Sequence, residues 1–202
     1  LINFVALLGW NAGDDKEFYN MDELIDNFSL ERVNKSGAVF DLQKLNWLNA
    51  EHLRKKTNEE LLLLLKDEIQ ISKFINQTYS DEFLILIIEA MKERVSFVKE
   101  FIDTCKYFYE APTAYEQKSI EKNWKPETPN HLIKLKEEFV SLNNPAKEDF
   151  EHALAKVSEQ LNVGKGKLIH PLRLAVSGQS TGPGMFDLLF ILGKDEVVKR
   201  IG

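Results

Sequence analysis

Residues 80–108 read SDEFLILIIEAMKERVSFVKEFIDTCKYF, and this stretch settles the fold class. Its apolar side chains, Phe83, Leu84, Ile87, Ile88, Met91, Val95, Val98, Phe101, Ile102, Cys105 and Phe108, recur three or four positions apart. That is the period of one helix face; a strand would alternate at every second residue. Ser80 ahead of Asp81 and Glu82 supplies a start signal, and Pro112 lies beyond the end. The spacing predicts one central bundle helix of roughly seven turns at 3.6 residues each.

Helical spacing persists on both sides of this stretch. Towards the N-terminus, Phe4, Val5, Leu7 and Leu8 begin a short helix that ends at Gly9 to Gly13, where Asn11-Ala-Gly-Asp-Asp reads as a turn. Asn20 with Glu23 has the form of a capping box, and Leu24, Ile25 and Phe28 follow as its apolar stripe. Gly37 breaks the next stretch. Asp41 then caps a helix carrying Leu42, Leu45 and Leu48, which leaves Trp47 on another face. Thr57 and Glu60 form a second capping box ahead of Leu61–Leu65. Towards the C-terminus, Lys125-Pro-Glu-Thr-Pro129 reads as a linker, with Thr128 as N-cap and Pro129 at the first helical position. Shorter helices are expected over 129–142, 146–162, 168–177, 184–192 and 194–201. The pattern predicts an all-α chain with essentially no sheet, in two helical domains, 1–126 and 127–202.

The chain has 202 residues, 44% of them apolar and 10% aromatic, enough for a substantial core. Its formal charge of −6 lacks the overall basic footprint of a nucleic-acid binder, but the charge is unevenly spread. Residues 121–202 carry 12 Lys/Arg against 11 Asp/Glu, whereas residues 1–120 carry 14 against 21. A single Cys105 excludes a disulfide scaffold and a cysteine zinc cluster. No apolar run approaches the length of about 20 residues that a membrane span needs. With Leu1-Ile-Asn-Phe in place of a starting Met or a signal segment, the chain reads as a cytoplasmic piece that begins mid-protein.

Catalytic constellations are missing from the sequence. His52, His131, His152 and His170 are scattered, with no i, i+4 pair and no HExxH motif. Cys105 falls on the apolar stripe, as a small core residue would. Asn27-Phe-Ser29, Asn34-Lys-Ser36 and Asn76-Gln-Thr78 match the glycosylation sequon by chance alone. No catalytic residue and no metal ligand is expected, and no cofactor. What remains is basic and aromatic: Arg54-Lys-Lys56 after Trp47, Arg94 in Met91-Lys-Glu-Arg94, and Lys165, Lys167, His170 and Arg173 around Pro171. Each reads by default as a solvated charged face.

Two stretches change that balance. Residues 3–54 run NFVALLGWNAGDDKEFYNMDELIDNFSLERVNKSGAVFDLQKLNWLNAEHLR, and residues 170–201 run HPLRLAVSGQSTGPGMFDLLFILGKDEVVKRI. Through N[FY]xALLGW, FSLERVxKSGAVFDxxKLxWLN, PLRxAxxG and GPGxF, the chain resembles the C-terminal half of bacterial glutamyl-tRNA synthetases. The likeness is strong over these blocks and looser over residues 55–169. Asn34-Lys35-Ser36-Gly37 is not the KMSKS signature of class I synthetases, because the family's signature loop lies upstream of the segment that starts here. The HIGH motif is absent as well. The Val33–Gly37 loop then belongs to the helical region that follows the signature loop.

The resemblance implies two helical domains that grip the lower limb of a tRNA, here tRNA(Glu), and read its anticodon, with neither DNA nor membrane as partner. ATP and Mg²⁺ would serve only the parent enzyme, and the chain would act as a monomer. By motif match, Arg94 takes the arginine that addresses the first anticodon base, although pairing with Glu93 would look the same in sequence. Arg173 of Pro171-Leu-Arg173, with Thr181, Gly182 and Met185 in the following loop, takes the groups that hold the second and third bases. Gln179 and Ser180 would add donors and acceptors, and an ordinary linker between helices is the other reading of this loop. Lys44, Trp47, Asn49 and Arg54, in KLNWLN…R, match a surface that contacts the tRNA backbone; Trp47 could instead be packed inside. Lys165 and Lys167 fall in the same backbone-contact class. A helical protein-interaction module is the rival reading.

Overall fold

The computed structural model describes residues 1–34, 37 and 39–201. Twelve α-helices are found among them: α1 (Ile2–Leu7), α2 (Met21–Asn27), α3 (Leu42–Lys55), α4 (Asn58–Gln70), α5 (Asp81–Met91), α6 (Glu100–Asp103), α7 (Gln117–Asn123), α8 (Thr128–Ser141), α9 (Lys147–Gln160), α10 (Gly166–Ser177), α11 (Met185–Leu192) and α12 (Lys194–Ile201). Tight 3₁₀ turns cover Leu30–Arg32 and Lys106–Phe108. Among the described residues the only β-type pairing is an isolated bridge between Trp10 and Val33. The reading of the Val33–Gly37 loop cannot be followed at Lys35 and Ser36, which lie outside the described residues.

Both capping boxes form as the sequence predicts. The Asn20 side chain accepts the Glu23 amide while the Glu23 carboxylate accepts the Asn20 amide, and Thr57 and Glu60 exchange bonds in the same way. Asp41 accepts the amides of Gln43 and Lys44 at the head of α3. At α8 the register is one residue earlier than expected. Thr128 is the first helical residue and buried, and its hydroxyl accepts the Lys125 amide at 2.9 Å, so it secures the turn before the helix.

The central helix is where expectation and structure part. A single helix over 83–108 does not form; α5 stops at Met91, and helix returns only at α6. Two side chains take over the backbone of Ser96. The Asn49 amide donates to the Ser96 carbonyl, and the Glu100 carboxylate accepts the amides of Ser96 and Phe97 at 2.7 and 3.4 Å. Side chains that satisfy backbone groups in this way compete with the helical ladder. The apolar stripe survives the break, because Met91, Val95, Phe101, Ile102, Cys105 and Phe108 are all buried.

Buried side chains form a large cluster and a small one. The large cluster runs from Leu53 to Val197 and takes in residues of α4, α5, α8, α9, α10 and α11. It crosses residue 126 without a break, so the two helical domains expected on either side of that position share one core. Phe139 of α8 meets Phe150 of α9 edge to face at 5.2 Å, within the range that favours aromatic pairs. The small cluster, Trp10, Tyr19 and Leu24, holds the N-terminal lobe. Beside it an apolar groove of about 620 Å³ is lined by Ile2, Val5, Trp10, Ile25, Phe28 and Val33 among others.

Candidate nucleic-acid interface

Arg173 lies on α10, one turn before the helix ends at Gly178. Gly178 adopts φ +74, and a Cβ there would lie 2.5 Å from the Ala114 carbonyl oxygen, so only glycine fits. Its own carbonyl accepts the Glu116 amide at 2.8 Å. The loop that follows is moored to the same segment, because the Ser180 amide donates to the Glu116 carboxylate at 2.8 Å. That bond holds the Glu116 carboxyl below the usual range. The Gln179 amide group donates to the Thr104 carbonyl at 3.3 Å. The 178–184 segment is thus a fixed loop, and its backbone runs past Arg173.

Arg173 spends one arm on that loop: Nη2 donates to the Pro183 carbonyl at 2.8 Å. Its Nη1 is buried and has no hydrogen-bond partner. Gly182 sits against it at φ +147, where a Cβ would fall 3.1 Å from the Tyr107 hydroxyl and 3.2 Å from Arg173 Nη1. Tyr107 is 2% exposed, and its hydroxyl lies 4.0 Å from the Met91 sulfur. Burial pushes its phenol well above the ordinary tyrosine range. Arg200 fixes the tyrosine from behind, Nη1 donating to the carbonyls of Tyr107 and Val176 at 2.7 Å each.

Arg94 closes the arrangement. It is exposed on the turn after α5, where its amide donates to the Met91 carbonyl at 2.8 Å, and so it is not on a helix as the sequence predicts. Its charge acts on both Tyr107 and Arg173. Burial first, and then Arg94, draw the Arg173 guanidinium below the ordinary arginine value, although a guanidinium stays charged throughout. The suspected pairing of Arg94 with Glu93 does not form, because Glu93 lies 3.0 Å from Arg54 Nε. Among the described residues neither Arg94 nor Arg173 has a carboxylate partner. Two guanidiniums without carboxylate partners, close enough to act on one tyrosine, make this region positively charged, which suits an acceptor-rich ligand such as a base edge or a phosphate.

The other expected site residues divide. Thr181 is exposed on the loop. Met185 is 6% exposed and part of the large core, so its side chain is not offered to a ligand; its position on the apolar stripe of α11 decides this. Trp47 is 43% exposed, which removes the reading that packs it inside. Lys44 is paired with Glu17 at 2.6 Å, Arg54 with Glu51 and Glu93, and Asn49 holds Ser96. In this structure Asn49 and Arg54 brace the segment that carries Arg94. Lys165 and Lys167 are exposed at the start of α10, and Lys167 lines a separate cleft. Sequence reasoning missed Tyr107 altogether, since a tyrosine inside an apolar stripe carries no signal beyond core.

A family model described as an anticodon binding domain matches residues 44–202. The chain belongs to that family. The residues that build the two-arginine site all fall inside the matched region of this anticodon-binding domain. A second model, for the catalytic domain of class I tRNA synthetases (E and Q), matches residues 1–47. A glutamate–tRNA ligase of Chloroherpeton thalassium is 42% identical over the whole chain, which covers 42% of that relative. One from Phocaeicola vulgatus is 38% identical and covered to 39%. The crystal structure of a glutamate tRNA ligase from Elizabethkingia meningosepticum superposes with a TM-score of 0.88 at 38% identity, over 99% of this chain and 39% of that one. The chain thus spans about two fifths of the length of these relatives.

Proposed function

We propose that this chain is the tRNA-binding part of a glutamate–tRNA ligase and that it reads the anticodon of tRNA(Glu) as a monomer in the cytoplasm. The observation that carries the reading is that Arg94 and Arg173 both act on Tyr107, with Gly182 packed against Arg173, while neither arginine has a carboxylate partner among the described residues. Arg94, exposed and held on its turn by neighbouring side chains, addresses the first base. Arg173 Nη1 and the backbone beside Gly182 address the bases that follow. Splayed single-stranded bases are recognised by such edge contacts and by stacking. Activation of glutamate with ATP and Mg²⁺ falls to the longer parent. Neither ATP signature occurs in the sequence, and no group of three His, Cys, Asp or Glu side chains is placed to hold a metal among the described residues.

Titration of the chain with a tRNA(Glu) anticodon stem-loop, and with one altered at the first base, tests the reading. The unaltered loop should bind tighter, and Arg94→Ala should weaken it by about 1–3 kcal/mol, the range for one good base contact, while flattening the difference. Equal, weak binding of both loops before and after the substitution would favour a protein-interaction module.

A further inference from the structure

The N-terminal lobe leaves its apolar groove of about 620 Å³ open beside α1 and α2. Both helices line it at helical spacing, α1 with Ile2 and Val5, and α2 with Met21, Leu24, Ile25 and Phe28 at its end. All of these except Leu24 are exposed, Ile25 at 70%. α1 carries no charged residue. Its one polar side chain, Asn3, is buried, donating to the Glu17 carbonyl at 3.0 Å and accepting the Tyr19 amide at 2.9 Å. A helix with no polar face is one that folded proteins bury on every side. Phe4 meets that demand from within the lobe, while Ile2 and Val5 are left to the solvent. An apolar patch of this kind marks a surface that something covers.

The make-up of the groove says what covers it. Its lining residues run from Leu1 to Val33, inside the 1–47 stretch that matches the class I catalytic domain. The chain covers only 42% and 39% of two relatives, so most of a catalytic domain lies outside the matched length in each. We propose that the groove beside α1 and α2 seats the rest of the catalytic domain in the longer parent, with apolar side chains of that domain covering Val5, Ile25 and Phe28. The inference rests on the reading of this chain as part of a glutamate–tRNA ligase. The same contact bears on the anticodon end. α1 packs on α3, where His52 Nε2 lies 3.2 Å from Asn3 Oδ1. Asn49 and Arg54 of α3 in turn hold the segment that carries Arg94. A domain seated on α1 is therefore joined to the Arg94 turn through one helix.

The test compares thiol labelling in the 202-residue chain and in the longer parent. Ile25→Cys puts a thiol in the groove, and Leu63→Cys, exposed on α4, is the control. Cys105 is buried and stays silent. A maleimide should label the Ile25→Cys variant roughly tenfold more slowly in the parent than in the 202-residue chain, and the control at equal rates in both. Ile25→Glu gives a second readout. It should leave the melting temperature of the 202-residue chain unchanged and lower that of the parent by several degrees, because only there is the carboxylate forced out of water. Equal labelling of the groove thiol in both chains, or an equal effect of Ile25→Glu on both, overturns the proposal. Protection that is already present in the 202-residue chain and grows with its concentration assigns the groove to self-association, and overturns it too. Anticodon reading is judged apart, by the stem-loop titration. Protection without discrimination between loops keeps the groove and sinks that reading; discrimination without protection sinks the groove alone.

Discussion

Gly182 is the position at which a single added methyl group would do most to the site. At φ +147 an L side chain is strained, and its Cβ would press on the Tyr107 hydroxyl and on Arg173 Nη1. Gly182→Ala is expected to cost about 1–3 kcal/mol, read from urea unfolding, the range for backbone strain of this kind. It should also weaken stem-loop binding by more than the stability change explains, because Arg173 must turn away. His52 offers a pH test. Its ring lies 4.4 Å from Phe18 and Nε2 is 3.2 Å from Asn3 Oδ1, and burial, with nearby positive charge, lowers its ionisation below the ordinary value. A group lowered in the folded state contributes stability that is complete above its unfolded value of about 6.5 and is lost as pH falls through the folded one. Melting temperature should therefore drop between pH 7.5 and 5, and His52→Gln should make that drop smaller.

At the scale of elements, the interruption between α5 and α6 sets where Arg94 points. Glu100 holds the amides of Ser96 and Phe97, and bonds to a charged acceptor contribute about 1.5–3 kcal/mol each at most. Glu100→Ala should lower stability by roughly that amount in denaturant titrations and reduce discrimination at the first base, with Arg94 itself intact. This interruption is what the sequence conceals. Periodicity records which residues are buried, and Met91, Val95, Phe101 and Cys105 keep helical spacing whether or not the backbone between them is helical. The competitor, Asn49, sits 47 residues from Ser96, beyond any local pattern. Local chemistry reads well by contrast: Asn20–Glu23 and Thr57–Glu60 close their boxes because both partners lie within one turn. The candidate site divides along the same line. Arg94 and Arg173 are nominated by motif likeness alone, Met185 lies in the core because its stripe faces inward, and Tyr107 reaches Arg173 only through tertiary packing.

Over the whole molecule, stability is unevenly distributed. A small buried set, Asn3, Phe4, Trp10, Tyr19 and Leu24, holds the N-terminal lobe, whereas the large core runs from Leu53 of α3 to Val197 of α12. Regions with few buried contacts open at lower free energy. Amides of α1 and α2 should exchange with solvent well before those of α4, α5 and α10, and brief proteolysis should cut first within the lobe; equal protection in both regions would contradict this. At the opposite end, the unneutralised guanidiniums of Arg94 and Arg173 have a practical corollary. A protein that keeps two unpaired guanidiniums near each other attracts whatever small oxyanion the solution provides. Sulfate or phosphate in a buffer would then act as a silent competitor, and apparent affinities recorded in those salts would understate what the same chain does in chloride.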